Sequence, residues 1–155
     1  MRRVALVTGG TSGIGHACVR AFARAGWGVV TVARRAGRTA PGVLALSGDV
    51  TDPLTSRRAV TATLERFGRL DAVVGNAGIT LAKCVDDTTE DELDALIAVN
   101  VRALVYLAQS AHGALAESRG SYVVIASNKG LVGQRGSPVY VATKGAAVQL
   151  LCRPG

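Results

Sequence analysis

Five short apolar segments, separated by longer stretches with helical periodicity, constrain the fold of this chain more than any other feature. The segments are rich in β-branched residues and nearly free of charge, which is typical of strands buried on both faces of a sheet. They comprise residues 4–8, 29–33, 43–47, 71–75 and 121–126. Strands that alternate with helices predict a parallel, doubly wound α/β sheet, and we expect residues 1–155 to form one domain.

Helical patterns fill the intervals between these segments. Residues 14–25 and 53–67 carry helical periodicity, and each stretch is followed by a glycine, a common stop signal for a helix. Residues 88–116 give the clearest pattern, because they open with Thr89 and Glu92 at capping-box spacing and continue with an apolar stripe. We expect this long helix to lie against the sheet.

The composition of the chain argues against several classes of partner. The uninterrupted apolar runs are far shorter than the roughly 20 residues that span a bilayer, so we expect no membrane partner. The formal net charge is +7, but the basic residues are scattered without interleaved aromatic residues, which argues against a nucleic-acid partner. The histidines and cysteines lack metal-ligand spacing, so we expect no metal. The N-terminus does not match a secretory signal, and a cytoplasmic location is expected.

A glycine-rich turn follows the first predicted strand and opens the first predicted helix. Doubly wound folds bind a pyrophosphate at this point, because glycines let the backbone approach the phosphates and the helix N-terminus offers free N–H groups. The residue after Gly15 is His16, so the lysine and hydroxyl of a mononucleotide P-loop are missing. An ordinary glycine turn without a ligand is the alternative. The residues expected to bind a dinucleotide are Gly9, Thr11, Ser12, Gly13, Ile14 and Gly15.

Two arginines end the second predicted strand. Arg34 and Arg35 stand about 20 residues beyond the glycine turn, where a carboxylate would bind the ribose of NAD and an arginine would accommodate the 2′-phosphate of NADP. No Asp or Glu is present there, and guanidinium groups suit a phosphate. We therefore expect NADP as the cofactor, with NAD as the second choice. Two solvated arginines are the alternative interpretation.

Tyr140 and Lys144 lie one helical turn apart in a segment that begins with Ser137 and Pro138, a cap followed by a first-turn proline. Both side chains therefore project from one face of a helix. A nearby ammonium favours the phenolate form of a tyrosine, which makes the tyrosine usable in proton transfer. Taken alone this spacing is a weak motif, and a surface helix pair is the alternative.

Two further polar residues stand at informative positions. Ser127 follows the fifth predicted strand, at the sheet edge where open α/β folds bind ligands. Asn100 falls on the apolar stripe of the long predicted helix, where an amide costs free energy unless it is hydrogen-bonded. An amide that satisfies a local backbone irregularity is the alternative for Asn100.

The glycine spacing T-G-x-x-x-G-I-G, together with Asn100, Ser127, Tyr140 and Lys144 in this order, resembles the short-chain dehydrogenase/reductase family. Within this family the chain resembles members of the 3-oxoacyl-acyl-carrier-protein reductase type. The resemblance implies a Rossmann fold and an NAD(P)-dependent oxidoreductase that moves a hydride between nicotinamide and a carbonyl or secondary alcohol. It implies that Tyr140 is the general acid or base and Ser127 orients the substrate carbonyl. It further implies that Asn100 holds a relay water and Lys144 binds the nicotinamide ribose.

The resemblance also implies cofactor contacts after the third and fourth strands. The matching positions are Asp49 and Val50 near the adenine, and the N-A-G turn of Asn76, Ala77 and Gly78. A simple turn-capping role is the alternative for Asp49. Gly75 replaces the first asparagine of the family's N-N-A-G pattern, and we expect this replacement to loosen the strand packing.

Family members continue past the point where this sequence stops, through further strands and a substrate lid. The resemblance therefore predicts five strands here, with the C-terminal strands missing and the fifth strand as an exposed apolar edge. A non-catalytic NADP-binding module and an inactive truncated fragment are the alternatives to an active enzyme. A small carbonyl or alcohol is the expected substrate. A homo-oligomer is usual in the family, but missing strands would weaken that expectation.

Overall fold

A parallel five-stranded sheet forms the centre of the computed structural model, which describes residues 2–35 and 42–150. The strands are β1 (Val4–Thr8), β2 (Gly28–Ala33), β3 (Val43–Ser47), β4 (Ala72–Gly75) and β5 (Ser121–Val124). They lie in the order β3-β2-β1-β4-β5, and all neighbouring pairs are parallel. The chain changes direction across the sheet between β1 and β4, which opens a crevice at the carboxyl ends of these strands. The predicted doubly wound α/β sheet is confirmed.

Helices cover both faces of this sheet. They are α1 (Gly13–Arg24), α2 (Pro53–Phe67), α3 (Glu90–Ile97), α4 (Ala103–Ser118) and α5 (Pro138–Gln149). Alternate residues of β1 point to opposite layers: Leu6 packs with Ala59 of α2 and Leu107 of α4, whereas Val7 packs with Val19 of α1. Each buried valine or leucine of this kind contributes about 1.5–3 kcal/mol to stability. The central strands are therefore fixed from both sides.

The long helix differs from its prediction in the middle. Between α3 and α4 the backbone forms a π-helical turn, Ala98–Arg102, rather than a regular α-helix. Such a turn inserts one residue into the helix and is frequent at functional sites. Asn100 lies within it and is only 1% exposed. The sequence therefore located the buried amide correctly, but its periodicity did not reveal the extra residue that turns the amide inward.

This helix also bears on the question of a membrane. The continuous stretch Glu90–Ser118 has 29 residues and is long and apolar enough to cross a membrane by length and composition, a test that core helices of soluble proteins also pass. One face of the helix packs on the sheet through Leu104, Leu107 and Ala111. Asn100 and Arg102 interrupt its apolar residues, which is why uninterrupted runs in the sequence did not single it out.

The fifth strand lies at the edge of the sheet in the part of the chain that the structure describes. Its residues alternate between exposed and half-buried, and Val123 is 46% exposed, so β5 is less covered than the predicted strand buried on both faces. The strand is also shorter than predicted, but Ile125 continues toward β4 with an N–H that donates to the Gly75 carbonyl at 2.9 Å. This extension leads the chain directly to Ser127.

Candidate active site

A cleft of about 1350 Å³ opens at the carboxyl ends of the strands. The cleft is lined by the glycine turn, the ends of β2 and β3, the turn after β4 and helix α5. Most of the residues predicted to bind a dinucleotide line it: Gly9, Thr11, Ser12, Gly13, Ile14, Arg34, Arg35, Asp49, Val50, Asn76, Ala77, Gly78, Tyr140 and Lys144. Gly15, Asn100 and Ser127 are predicted site residues that do not line it.

The glycine turn is packed tightly against the turn that follows β4. Gly9 has a φ of +69° and its N–H donates to the Val32 carbonyl at 2.7 Å. The Asn76 amide Nδ2 donates to the carbonyls of Thr8 and Gly9 at 2.9 and 3.2 Å. A Cβ on Gly15 would lie 2.3 Å from the Gly9 carbonyl oxygen, so this glycine serves close packing of the loop rather than the cleft surface.

The start of α1 fits an anionic group. Ser12 is the N-cap, but its side chain makes no capping hydrogen bond, and the first turn holds no acidic residue. The N–H groups there keep their partial positive charge, which favours a phosphate. A Cβ on Gly13 would meet nothing within 4 Å, so the backbone faces open space at this point. Ile14 is 59% exposed beside it and offers an apolar surface for a ligand to cover.

Thr8 joins the two strands at the crevice. Its hydroxyl accepts hydrogen bonds from the N–H groups of Asn76 and Ala77 at 3.0 and 3.1 Å. It also donates to the Val74 carbonyl at 3.4 Å. Sequence reasoning did not assign Thr8 to the site, although its place directly before the first glycine was a signal. The threonine holds the N-A-G turn in register with the glycine turn.

The predicted adenosine end of the cleft carries two cations and one carboxylate. Arg34 and Arg35 are exposed and line the cleft directly after β2. A third arginine nearby in the sequence, Arg38, which we expect to belong with them, lies outside the described residues. Asp49 Oδ1 accepts hydrogen bonds from the Thr51 N–H and hydroxyl at 2.9 and 2.8 Å. These bonds, with a smaller contribution from Arg34, hold the pKa of Asp49 below its usual value. Asp49 therefore caps a turn and lines the cleft at once.

Tyr140 and Lys144 lie on one face of α5 at the opposite end of the cleft. The Lys144 Nζ is 6.0 Å from the centre of the Tyr140 ring and donates to the Ile125 carbonyl at 2.9 Å. Lys144 is only 7% exposed, and this burial lowers its pKa. The structure thus places the Lys144 ammonium, with one fixed hydrogen bond, beside the half-buried Tyr140 phenol. In such an arrangement the phenol can supply a proton, and the ammonium can stabilise the negative charge that remains on the phenolate.

Asn100 does not reach the cleft surface but ties three elements together. Its Oδ1 accepts from the Ile79 N–H at 2.9 Å, and its Nδ2 donates to the Ile79 carbonyl at 2.9 Å and to the Thr143 hydroxyl at 3.0 Å. The Thr143 hydroxyl in turn donates to the Tyr140 carbonyl at 2.8 Å. The buried amide therefore links the turn after β4 to the helix that carries Tyr140.

Gly78 separates Asn100 from Lys144. A Cβ on Gly78 would lie 3.3 Å from the Asn100 Oδ1 and 3.6 Å from the Lys144 Nζ. Both polar groups therefore approach the same small space, which only a residue without a side chain leaves open. The final glycine of the N-A-G turn thus keeps open the space next to Lys144.

Ser127 caps a short 3₁₀ turn, Asn128–Gly130, that follows β5. Its hydroxyl accepts from the Lys129 N–H at 3.2 Å and donates to the Asn128 Oδ1 at 3.3 Å. The structure therefore brings Ser127 to the carboxyl end of β5, with its hydroxyl engaged in local hydrogen bonds. At 3.3 Å the bond to Asn128 is longer than the usual range for a hydroxyl donor and an oxygen acceptor.

Gly75 does not leave the loose packing that its sequence position predicted. A Cβ at Gly75 would lie 2.7 Å from Leu104 Cδ2 and 3.0 Å from the Tyr122 hydroxyl oxygen. The Tyr122 hydroxyl donates to the Leu104 carbonyl at 2.9 Å. These neighbours fill the place that an asparagine side chain would take, so the expectation of loosened strands is wrong here.

Sequence reasoning missed about half of the cleft lining. These residues share no motif, because they lie at or after the carboxyl ends of strands and along one face of the helical stretch that begins at Glu90. They are Val32, Ala33, Gly48, Thr51, Ile79, Thr80, Asp94, Ala95, Ala98, Val99, Arg102, Ile125 and Ala126. The only usable signal was position, since residues at the carboxyl ends of parallel strands face the crevice.

Comparison with known proteins places the chain in a family. The short chain dehydrogenase family profile matches residues 3–153. The L-fucose dehydrogenase of Mus musculus is 39% identical over 155 residues, and the cis-1,2-dihydrobenzene-1,2-diol dehydrogenase of Pseudomonas putida is 34% identical over 160 residues. Each match covers 96% of this chain, which spans 57% and 58% of the length of these two relatives.

Solved structures agree with these matches. A 3-ketoacyl-(acyl-carrier-protein) reductase from Brucella melitensis complexed with NADH superposes with a TM-score of 0.90 at 29% identity, covering 96% of this chain and 66% of that one. An alcohol dehydrogenase from Thermococcus sibiricus complexed with 5-hydroxy-NADP also has a TM-score of 0.90, at 27% identity, covering 97% of this chain and 69% of that one. Because the family profile matches residues 3–153 of its 155 residues, this chain belongs to the short-chain dehydrogenase family.

Proposed function

We propose that this chain carries the cofactor-binding and proton-transfer parts of an NAD(P)-dependent oxidoreductase acting on a small carbonyl compound or the corresponding alcohol. One observation carries the proposal: Tyr140 and Lys144 line the same cleft as the open glycine turn at the start of α1. A site for an anionic dinucleotide and a phenol with a neighbouring ammonium thus share one continuous surface.

The residues present fit a nicotinamide dinucleotide along this cleft. The pyrophosphate would lie on Gly13 and Ile14, the adenosine near Asp49 and Val50, and the nicotinamide ribose beside Lys144, in keeping with the charges and open spaces described above. When bound, the dinucleotide supplies or accepts the hydride. Solved relatives that carry NADH or 5-hydroxy-NADP support this class of cofactor.

Proton transfer is the task of the chain's own side chains. In the reducing direction the Tyr140 hydroxyl donates its proton to the substrate oxygen, and the Lys144 ammonium stabilises the resulting phenolate. The Ser127 hydroxyl exchanges its bond to Asn128 for one to the same substrate oxygen, which orients the carbonyl. In the oxidising direction the phenolate takes the proton back. The Asn100–Thr143 contact keeps Tyr140 in place for both directions.

NADP is our proposal for the preferred cofactor. Arg34 and Arg35 are exposed at the cleft where the 2′-phosphate would lie, and guanidinium groups bind phosphate with paired donors. The only carboxylate among the cleft residues at this end, Asp49, is already bonded to Thr51 through Oδ1. The electrostatics of this end therefore favour a phosphate over free ribose hydroxyls.

The proton-transfer role is tested by turnover of NADPH or NADH with a panel of small ketones. Tyr140→Phe should lower kcat by a factor of about 10² to 10⁴, the usual contribution of a positioned general acid, while the Kd for NADPH stays within about twofold. Cofactor binding with turnover that Tyr140→Phe leaves unchanged contradicts the proposal. A chain that binds NADPH but reduces none of the panel supports the binding-module alternative.

The cofactor preference is tested separately by titration with NADPH and NADH. Arg34→Asp should weaken NADPH binding by about tenfold or more, because it removes a charge-assisted hydrogen bond and adds repulsion, and should spare NADH. Arg20→Asp is the matched control, since Arg20 is exposed on α1 and does not line the cleft. An unchanged ratio of the two affinities in Arg34→Asp refutes the NADP assignment.

A further inference from the structure

Lys129 occupies an unusual place next to the proposed reacting groups. It lies in the 3₁₀ turn directly after Ser127, and its N–H donates to the Ser127 hydroxyl at 3.2 Å. Its Nζ lies 5.6 Å from the centre of the Tyr140 ring. The side chain therefore runs between the two groups that we assign to the substrate carbonyl.

The turn that carries Lys129 is held firmly. The Gly130 N–H donates to the Ser127 carbonyl at 2.9 Å, and the turn rests directly on α5. A Cβ on Gly130 would come within 2.6 Å of the Lys144 carbonyl oxygen, so only glycine permits this close approach. The backbone of Lys129 is thus fixed relative to Tyr140 and Lys144.

The charge of Lys129 has no carboxylate partner in the described part of the chain. The sequence holds three lysines. Lys83 pairs with Glu92, and Lys144 is buried with the Ile125 carbonyl, whereas Lys129 meets the face of an aromatic ring. Moreover, the sequence has no Asp or Glu from residue 118 to its last residue, so β5, the 3₁₀ turn and α5 carry no acidic residue. Helix α3, which packs against α5, does carry acidic residues, and the one that lines the cleft, Asp94, lies 3.9 Å from Arg102.

We infer that Lys129 is a substrate-specificity residue, which binds a carboxylate carried by the substrate close to the carbonyl on which Tyr140 acts. This inference rests on the proposed function and narrows its substrate class to oxo acids and the matching hydroxy acids. A single ammonium is a compact point charge with three donors, which suits one carboxylate. The contact with the Tyr140 ring keeps the ammonium near the site, and an incoming carboxylate offers a stronger partner than the ring face.

The test compares oxo acids with their neutral amides on the cofactor-loaded chain. The probes are acetoacetate, 2-oxobutyrate and levulinate, each with the corresponding amide. Binding to the NADPH or NADH complex is followed by titration, and turnover is followed by absorbance. At least one acid should bind about tenfold or more tightly than its amide, as expected for a hydrogen bond to a charged group. Lys129→Met should remove this difference, and Lys129→Arg should keep most of it.

Two further variants separate the possible outcomes. Lys83→Met removes one positive charge from a residue that does not line the cleft, and it should leave the difference between acid and amide intact. Tyr140→Phe should lower kcat by the same factor of about 10² to 10⁴ but retain tight binding of the acid. Acids that bind no better than their amides, or a Lys129→Met variant that affects both alike, overturn the inference about Lys129. Turnover that Tyr140→Phe leaves unchanged instead overturns the proposed function, and the binding difference still reports on Lys129.

Discussion

The amide of Asn100 donates a hydrogen bond of 3.0 Å to the hydroxyl of Thr143, and this contact joins the π-helical turn of the long helix to the helix that carries Tyr140. Both residues are almost fully buried. The Thr143 hydroxyl donates in turn to the backbone carbonyl of Tyr140. We therefore expect the position of the Tyr140 phenol to depend on the Asn100 amide, although Asn100 does not line the cleft.

Thr143→Val should therefore impair catalysis without touching the cleft. The replacement keeps the shape of the side chain but leaves the Asn100 Nδ2 without one acceptor, which costs about 1–3 kcal/mol in a buried place. We expect the free energy of unfolding to fall by that amount and kcat to fall by about tenfold. Denaturant unfolding and steady-state kinetics measure the two effects.

Thr143→Ser is the control, because it retains the hydroxyl. It should recover most of the kcat lost in Thr143→Val, although it removes a methyl group. Equal loss of kcat in both variants would show that packing by the methyl group, rather than the hydrogen bond, positions Tyr140.

Gly75 and Tyr122 give a second prediction, about strand packing. Gly75→Ala should lower the free energy of unfolding by about 1–3 kcal/mol, because the new Cβ overpacks against Leu104 and the Tyr122 hydroxyl. In a Tyr122→Phe background the same change should cost at least about 0.5 kcal/mol less, since part of the collision is gone. A double-mutant cycle by urea unfolding measures this coupling, and strictly additive effects would contradict it.

The sequence predicted the place of a residue correctly where the residue type itself sets a structural requirement. The buried amide of Asn100 needed partners, and the glycine turn needed a place after β1, so both could be located from pattern alone. The tight packing around Gly75 could not be predicted, because it depends on Tyr122 of the adjacent strand and on Leu104 of the long helix. The position of Lys129 was equally hidden, since a lysine in a polar turn normally indicates a solvated surface.

The ion pair of Arg69 and Asp71 predicts a dependence of stability on pH. Asp71 Oδ2 accepts from the Arg69 Nε and from the Val4 N–H, both at 2.8 Å, which ties the start of β4 to β1. The Arg69 hydrogen bond is the main reason why the pKa of Asp71 lies below its ordinary value of 3.8. The carboxylate therefore stabilises the fold fully above that value, and the contribution disappears as the pH falls through the lowered pKa.

Asp71→Asn should accordingly cost about 1–3 kcal/mol of unfolding free energy at pH 7 and less near pH 3. Asp94→Asn is the control, because the Asp94–Arg102 pair is exposed and its atoms are 3.9 Å apart. Such a pair contributes at most about 1 kcal/mol. Urea unfolding of both variants at the two pH values measures the difference, and a cost of Asp71→Asn that stays constant with pH would contradict the linkage.

Gly13 and Gly26 allow the binding surface of the glycine turn to be separated from backbone strain. Both have positive φ angles, +52° and +80°, and at both a Cβ would meet no atom within 4 Å. Alanine at either position should cost about 1–2 kcal/mol of stability, because left-handed backbone disfavours a side chain.

Of these two glycines, only Gly13 lines the cleft, so only Gly13→Ala should place a methyl group against a bound pyrophosphate. We expect its Kd for NADPH to rise by about tenfold or more, from the lost close approach, with Gly26→Ala unchanged. Equal affinities in the two variants would mean that the dinucleotide does not lie on this turn.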